Sequence, residues 1–125
     1  MTSYIDPRGE QLKAFASLPD NGNIFMLNLL RFKDKVEETG QTGQEAYKDY
    51  MEAATPFIAG SEAKVVFYGT PFASLIGPEE NEWDKCLIVQ YPNKKSFLRM
   101  ISTEGYPAHL RARALADSRL ICMNG

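Results

Sequence analysis

The residues of this chain that could do chemistry are few. His109 is the single histidine, and its unperturbed titration range makes it the group that acid–base chemistry near neutral pH would use first. The alternative is a partly exposed helix residue that titrates and does nothing. Asn28 lies inside the run Asn23–Phe32, which is apolar at nearly every other position. An amide in that setting needs hydrogen-bond partners, so it is either a structural polar node or the floor of a pocket. The cost of burying it without a purpose favours the pocket. Trp83 is a candidate wall for such a pocket or an anchor for packing and association. Arg31, Arg111 and Arg113 could hold a carboxylate or phosphate; of these, Arg113 shares a helix face with His109 four residues earlier. Tyr47, Tyr50 and Tyr68 could line a cleft and donate phenolic hydrogen bonds, or pack half-buried in the core. The site expected from these residues has His109 and Asn28 as catalytic groups, with Arg31, Tyr50, Tyr68, Trp83 and Arg113 binding a ligand.

Other chemistries lack their signatures. Cys86 and Cys122 have no CxxC or histidine-paired spacing, so reduced thiols acting as small apolar residues are expected. Glu79, Glu80, Glu82 and Asp84 form a dense acidic run, but a loop tip rarely converges ligands on a metal, and a solvated loop is expected. There is no Gly-rich phosphate loop, no GxSxG elbow and no HExxH. No metal or other cofactor is expected.

The elements that must position these groups follow from pattern. In Asn23–Phe32 the side chains alternate, with Phe25, Leu27, Leu29 and Arg31 on one face and Ile24, Met26, Asn28, Leu30 and Phe32 on the other. A strand wetted on one side would alternate apolar and polar; this one does not, so both faces need cover. Before it, Asp6-Pro7 reads as a helix start, a side-chain cap followed by proline at the first helical position. Pro19-Asp20-Asn21-Gly22 is turn chemistry. Residues 33–42 read as an exposed, mobile loop that could close over the cleft. Thr42 and Glu45 fit a capping box for a helix to about Ala59, stopped at Gly60 and kinked by Pro56. A second strand runs from Ala63 to Tyr68 and, after Gly69-Thr70-Pro71, continues over Phe72–Ile76. Lys85–Tyr91 is the third strand. Pro92-Asn93 opens a helix broken at Ser102–Gly105, Pro107 restarts it, and Asp117–Met123 is the last strand.

The order is a helix followed by β-α-β-β-α-β, the split pattern of ferredoxin-like α+β proteins, with sheet order 4-1-3-2. Helices then cover one face, and a second subunit packed sheet on sheet is the simplest cover for the other. In that order Cys86 and Cys122 stand two strand spacings apart, roughly 10 Å, too far for a disulfide. The expected organisation is one domain over 1–125, with residues 1–22 as a helical extension and 23–125 as the ferredoxin-like unit.

Composition excludes further classes. The chain has 125 residues, 14 basic and 16 acidic side chains and a net charge of −2. That balance lacks the basic excess of a nucleic-acid binder. No apolar run approaches the roughly 20 residues needed to span a bilayer. The first residues have no basic start followed by an apolar stretch, so no secretory signal is read and a cytoplasmic protein is expected.

Taken together, MLNLLRFKD, GQEAYKDYMEAATPFI, KVVFYGTP, LIG, EWDKCLIVQYPNKKSF and RARALADSRLI resemble the DUF1330 family, over roughly Asn23 to Ile121. This is a group of small proteins without an assigned activity in the dimeric α/β-barrel superfamily. The resemblance implies a ferredoxin-like protomer, a homodimer through the sheet faces and a ligand cleft between sheet and helices. It implies no reaction. Superfamily relatives include cofactor-free monooxygenases, haem-degrading monooxygenases, chlorite dismutases and dye peroxidases, and fold analogy does not choose among them. The haem-degrading enzymes also use Asn, Trp and His, but there the His closely follows the strand bearing the Trp. Here His109 comes only after Tyr91 and the interrupted helix. The expectation is therefore a cofactor-independent enzyme, monooxygenase- or isomerase-like, on a small aromatic or acidic metabolite. The alternative is a non-catalytic binding or stress-associated module, and a haem-binding monooxygenase is the weaker third.

Overall fold

Strand β1 (Ile24–Phe32) is the centre of the molecule, and its burial follows the expected alternation. Ile24, Met26, Asn28 and Leu30 are buried, while Phe25, Leu27 and Leu29 between them are only half-buried. The computed structural model describes residues 3–20 and 22–125; Asn21 of the expected turn, and Met1 and Thr2, lie outside them. Three further strands, β2 (Lys64–Gly69), β3 (Lys85–Tyr91) and β4 (Leu115–Asn124), complete an antiparallel sheet ordered β2-β3-β1-β4. With helices α1 (Gly9–Ser17), α2 (Gly43–Gly60), α3 (Lys94–Ser102) and α4 (Ala108–Ala114), this is an α+β ferredoxin-like fold with one added N-terminal helix. Among the described residues no helix is long and apolar enough to cross a membrane.

Local chemistry explains most boundaries. Thr42 Oγ1 accepts from the Glu45 amide at 3.1 Å and Glu45 Oε1 accepts from the Thr42 amide at 2.9 Å, a complete capping box for α2. Pro56 sits in the last turns of that helix. Asn93 Oδ1 caps α3 by accepting from the Ser96 amide at 2.8 Å. Gly105, at φ +89°, makes the break between α3 and α4. Gly43 has a packing reason: a Cβ there would lie 2.5 Å from the Lys33 amide and carbonyl and 2.6 Å from the Ala114 carbonyl.

Two buried clusters fill the space between the helices and one sheet face. One gathers Leu30, Val36, Tyr47, Tyr50, Ala54 and Leu115; the other gathers Ile24, Met26, Leu87, Val89, Tyr91 and Phe97. The opposite face carries a row across all four strands, Phe67, Ile88, Leu27 and Ile121, set by the pairings Phe67↔Ile88, Leu27↔Ile88 and Leu27↔Ile121. Phe67 and Ile121, at its ends, are 54% and 47% exposed.

Three expectations are corrected. The first helix starts at Gly9 with Arg8 as its cap residue, not at Asp6-Pro7. Residues 4 and 5 are instead strapped to β4 and α4: the Tyr4 amide donates to Asp117 Oδ1 (2.9 Å), Ser118 Oγ donates to the Tyr4 carbonyl (2.6 Å), and Arg111 Nη1 donates to the Ile5 carbonyl (2.8 Å). Residues 33–42 are not a free lid, because Val36 is fully buried and its amide and carbonyl bond Gln41 and Gly40 at 2.7 Å. Finally, Phe72–Ile76 does not continue β2. The β2–β3 ladder ends at Gly69↔Cys86, and Phe72, Leu75 and Ile76 are 93%, 94% and 98% exposed.

The far end of α1 is fixed by a buried cation. Lys94 is 8% exposed, and its Nζ donates to the carbonyls of Phe15, Ala16 and Leu18 at the C-terminal end of the helix. No residue of α1 is itself buried; its C-terminal end is held by Lys94 and by Phe15, which meets the Phe97 ring edge-on at 6.1 Å.

Candidate functional site

Between the sheet and the helices lies a chamber of about 230 Å³, floored by Asn28, Leu87 and Val89 and walled by Tyr47, Tyr50 and Tyr106. It shares Met26, Phe97, Leu120 and Arg111 with an outer chamber of about 390 Å³, which opens beneath the N-terminal strap and α1. The lining is mostly apolar with a few polar groups, the usual make-up of a small-molecule site.

Asn28 reaches this chamber because it points to the helix side of β1, in a row with Leu87 and Leu120 of the flanking strands. It is 7% exposed. Its Nδ2 makes two long hydrogen bonds, to the Met26 carbonyl at 3.3 Å and the Leu87 carbonyl at 3.4 Å. Both lie beyond the usual range for a strong N–H···O bond, so the amide is held but weakly used.

The tyrosines form a connected wall. Tyr47 and Tyr50 rings are 5.3 Å apart, and Tyr106 meets Tyr50 edge-on at 6.3 Å. The Tyr50 and Tyr106 hydroxyls are 2.5 Å apart and share one hydrogen bond. Burial pushes Tyr47 up to about 12, with the Arg111 guanidinium opposing the rise. Burial also raises Tyr50, reinforced by Tyr106, and raises Tyr91. Tyr47, Tyr50 and Tyr91 are therefore neutral phenols, hydrogen-bond donors that take no proton from a ligand near neutral pH.

Arg111 is the one cationic side chain lining the inner chamber among the described residues. One guanidinium nitrogen holds the Ile5 carbonyl; the other, Nη2, is buried with no hydrogen-bond partner. No group of three or more His, Cys, Asp or Glu side chains placed to hold a metal occurs among the described residues.

Of the residues expected to form the site, the structure brings only Asn28 and Tyr50 together in this cavity. His109 is exposed on α4 and lines neither chamber. Arg113 is half-buried on the same helix, with Nε unpartnered, and also lines neither. Trp83 sits 5.8 Å from Arg31 and 5.2 Å from Arg119. Arg31 belongs to the alternate set of β1 positions that faces away from Asn28, Arg119 reaches the outer chamber beside Tyr4, and Trp83 itself lines neither chamber. Arg31 is further engaged through Nε with the Glu82 carbonyl at 2.7 Å. Tyr68 shares the row of Asn28 two strands away but is half-exposed, with the Lys85 ammonium 5.0 Å from its ring, and lines neither chamber.

Three residues of the cavity stand outside the expected site: Arg111, named as a possible anion holder but passed over for Arg31 and Arg113, and Tyr106 and Tyr91, which were not named as candidates. A helical signal was available for the first. Pro107, Arg111 and Ala114 fall on one face of α4, and Pro107 and Ala114 are buried, so Arg111 is the polar residue on the inward side and His109 is not. Tyr106 follows the Gly105 break, and no local period foretells its direction.

No family model and no curated protein matches the chain. Solved structures do. The methylated RPA0582 protein superposes with a TM-score of 0.91 at 35% identity, covering 100% of this chain and 96% of that one. A second structure of RPA0582, a protein of unknown function from Rhodopseudomonas palustris, gives a TM-score of 0.90, also at 35% identity, over 99% of this chain and 98% of that one. More distantly, a dimeric ferredoxin-like protein of unknown function from Thermobifida fusca matches at TM-score 0.53 and 17% identity, over 83% of this chain and 92% of that one. A DABB family protein with a ferredoxin-like fold from Mesorhizobium loti matches at 0.51 and 12%, over 84% and 98%. These two share the fold with this chain. At the identity and coverage of the first pair, the chain belongs to the same family as the RPA0582 protein of Rhodopseudomonas palustris.

Proposed function

We propose that the protein holds a small, largely apolar metabolite in the chamber above Asn28. The observation that carries this reading is a thinly bonded amide at the floor of a tyrosine-walled cavity. A purely structural amide would make short bonds; a receptor amide keeps capacity for a guest. A second reading, cofactor-independent turnover of the isomerase type, is favoured by the paired Tyr50 and Tyr106 hydroxyls, which could stabilise an enolate oxygen. His109, outside the cavity, carries no role in either.

Around this site we place the chain in the DUF1330 group and infer a homodimer through the bare sheet face; the Thermobifida fusca neighbour is itself described as dimeric. Its two free thiols suit a reducing compartment such as the cytoplasm.

The test is native mass spectrometry of gently purified protein, with the retained molecule extracted and identified. Asn28→Leu, nearly isosteric, should lose the guest yet stabilise the fold by about 1 kcal/mol, because an underused buried amide is replaced by an apolar group. A variant that keeps its guest and melts lower would make Asn28 a structural node, and wild-type protein that carries no guest would end the proposal. A guest recovered unchanged favours holding; one recovered rearranged favours turnover.

A further inference from the structure

Resting on that reading, the chemical class of the guest can be taken further from the donors that the cavity leaves over. Arg111 Nη2 is buried with no partner at hydrogen-bond geometry, although Nη1 of the same group is satisfied by the Ile5 carbonyl at 2.8 Å; the Tyr47 phenol beside the guanidinium is neutral and leaves its charge uncompensated. A buried N–H without a partner is destabilising, the more so when it is charged. The described residues supply no counter-anion. Asp6 is the acidic residue lining both chambers, but it is exposed and makes no ion pair with Arg111; the ion pair found is Arg119–Asp117.

A second donor points the same way. The Tyr50 and Tyr106 hydroxyls share one hydrogen bond at 2.5 Å, which uses one of their two protons. The other is left free to donate, and no hydrogen bond among the described residues takes it. Burial holds the Tyr50 hydroxyl in its neutral form, so it supplies no negative charge. A chamber with a spare guanidinium N–H, a spare phenolic O–H and apolar walls of Met26, Met51, Met100 and Leu87 is complementary to one anionic group on an apolar body.

We propose that the ligand is a monocarboxylic acid with an aromatic or short aliphatic body, its carboxylate received by Arg111 Nη2 and the free proton of the Tyr50–Tyr106 pair. A phosphate monoester is disfavoured, since a single guanidinium would leave the second negative charge uncompensated in an apolar chamber. The body lies over Asn28 in the inner chamber, and a longer chain would extend into the outer one beneath α1.

Calorimetric titration of the wild-type protein with benzoate, phenylacetate, cinnamate and hexanoate, each against its primary amide, tests the carboxylate directly. The acids are expected to bind at least ten-fold more tightly than their amides, and inorganic phosphate not at all. In Arg111→Met the acid preference should disappear while amide binding persists. The wild-type comparison stands even if that variant loosens the strap at Ile5. Amides that bind as well as the acids, or better, would overturn the carboxylate assignment and leave the cavity reading intact. If neither acids nor amides bind, the cavity reading fails and the carboxylate with it.

Discussion

Tyr47, Tyr50, Tyr91 and Tyr106 all line the inner chamber, and their chemistry there is set by loss of water. Each buried phenol is easier to keep neutral than to ionise, so Tyr47, Tyr50 and Tyr91 have raised pKa values in the fold. In the unfolded chain they titrate near the ordinary value. The stabilisation from holding them protonated is therefore complete below that value and is lost as pH rises through the folded pKa. Spectroscopic titration of tyrosinate should show these three phenols, of six tyrosines in the chain, resisting ionisation until alkaline unfolding releases them together. Three independent titrations at the ordinary value would contradict the burial described. At this scale Asn28 and Tyr50 were legible, because an amide in an apolar strand and a tyrosine on an apolar stripe are local anomalies. Arg111 was harder to pick: the shared face of His109 and Arg113 drew the choice to Arg113, whereas the spacing of Arg111 with the buried Pro107 and Ala114 marks the inward side.

Elements whose ends are written in capping chemistry were legible: the Thr42–Glu45 box and the Asn93 cap start α2 and α3 as their residues demand. Elements decided by distant partners were not. Phe72–Ile76 has strand composition but no strand to pair with, and Asp6-Pro7 has cap composition but its neighbours are claimed by β4 and α4. Residues 33–42 look like a loose loop in composition, yet Val36 buries itself and Gly43 closes the segment against Lys33 and Ala114. Gly43→Ala should therefore lower stability by about 1–3 kcal/mol, the usual cost of forcing atoms into filled space. Gly60→Ala, at the end of the same helix with nothing within 4 Å of the added Cβ, should be neutral or slightly stabilising. Urea denaturation of the two variants checks the contrast; equal behaviour would mean that the 33–43 segment yields easily.

Across the whole molecule, the strand order β2-β3-β1-β4 is the one the element sequence implied, because split β-α-β units leave few alternatives. The row Phe67, Ile88, Leu27 and Ile121 on the bare face is where the proposed second subunit would pack. Sedimentation should give the mass of two chains, and Ile121→Asp should convert it to one with the fold retained. A wild-type protein that sediments as a single chain would remove the dimer. The position of β1, bonded on both sides by β3 and β4, has one more consequence. Its amides have no edge from which to open, so their exchange with solvent deuterium requires the sheet itself to come apart. Asn28 thus sits in the slowest-breathing part of the protein, whereas Arg111 and the strap at Ile5 lie at its periphery. A guest held between them would leave the floor's exchange unchanged and show itself at the strap and α1.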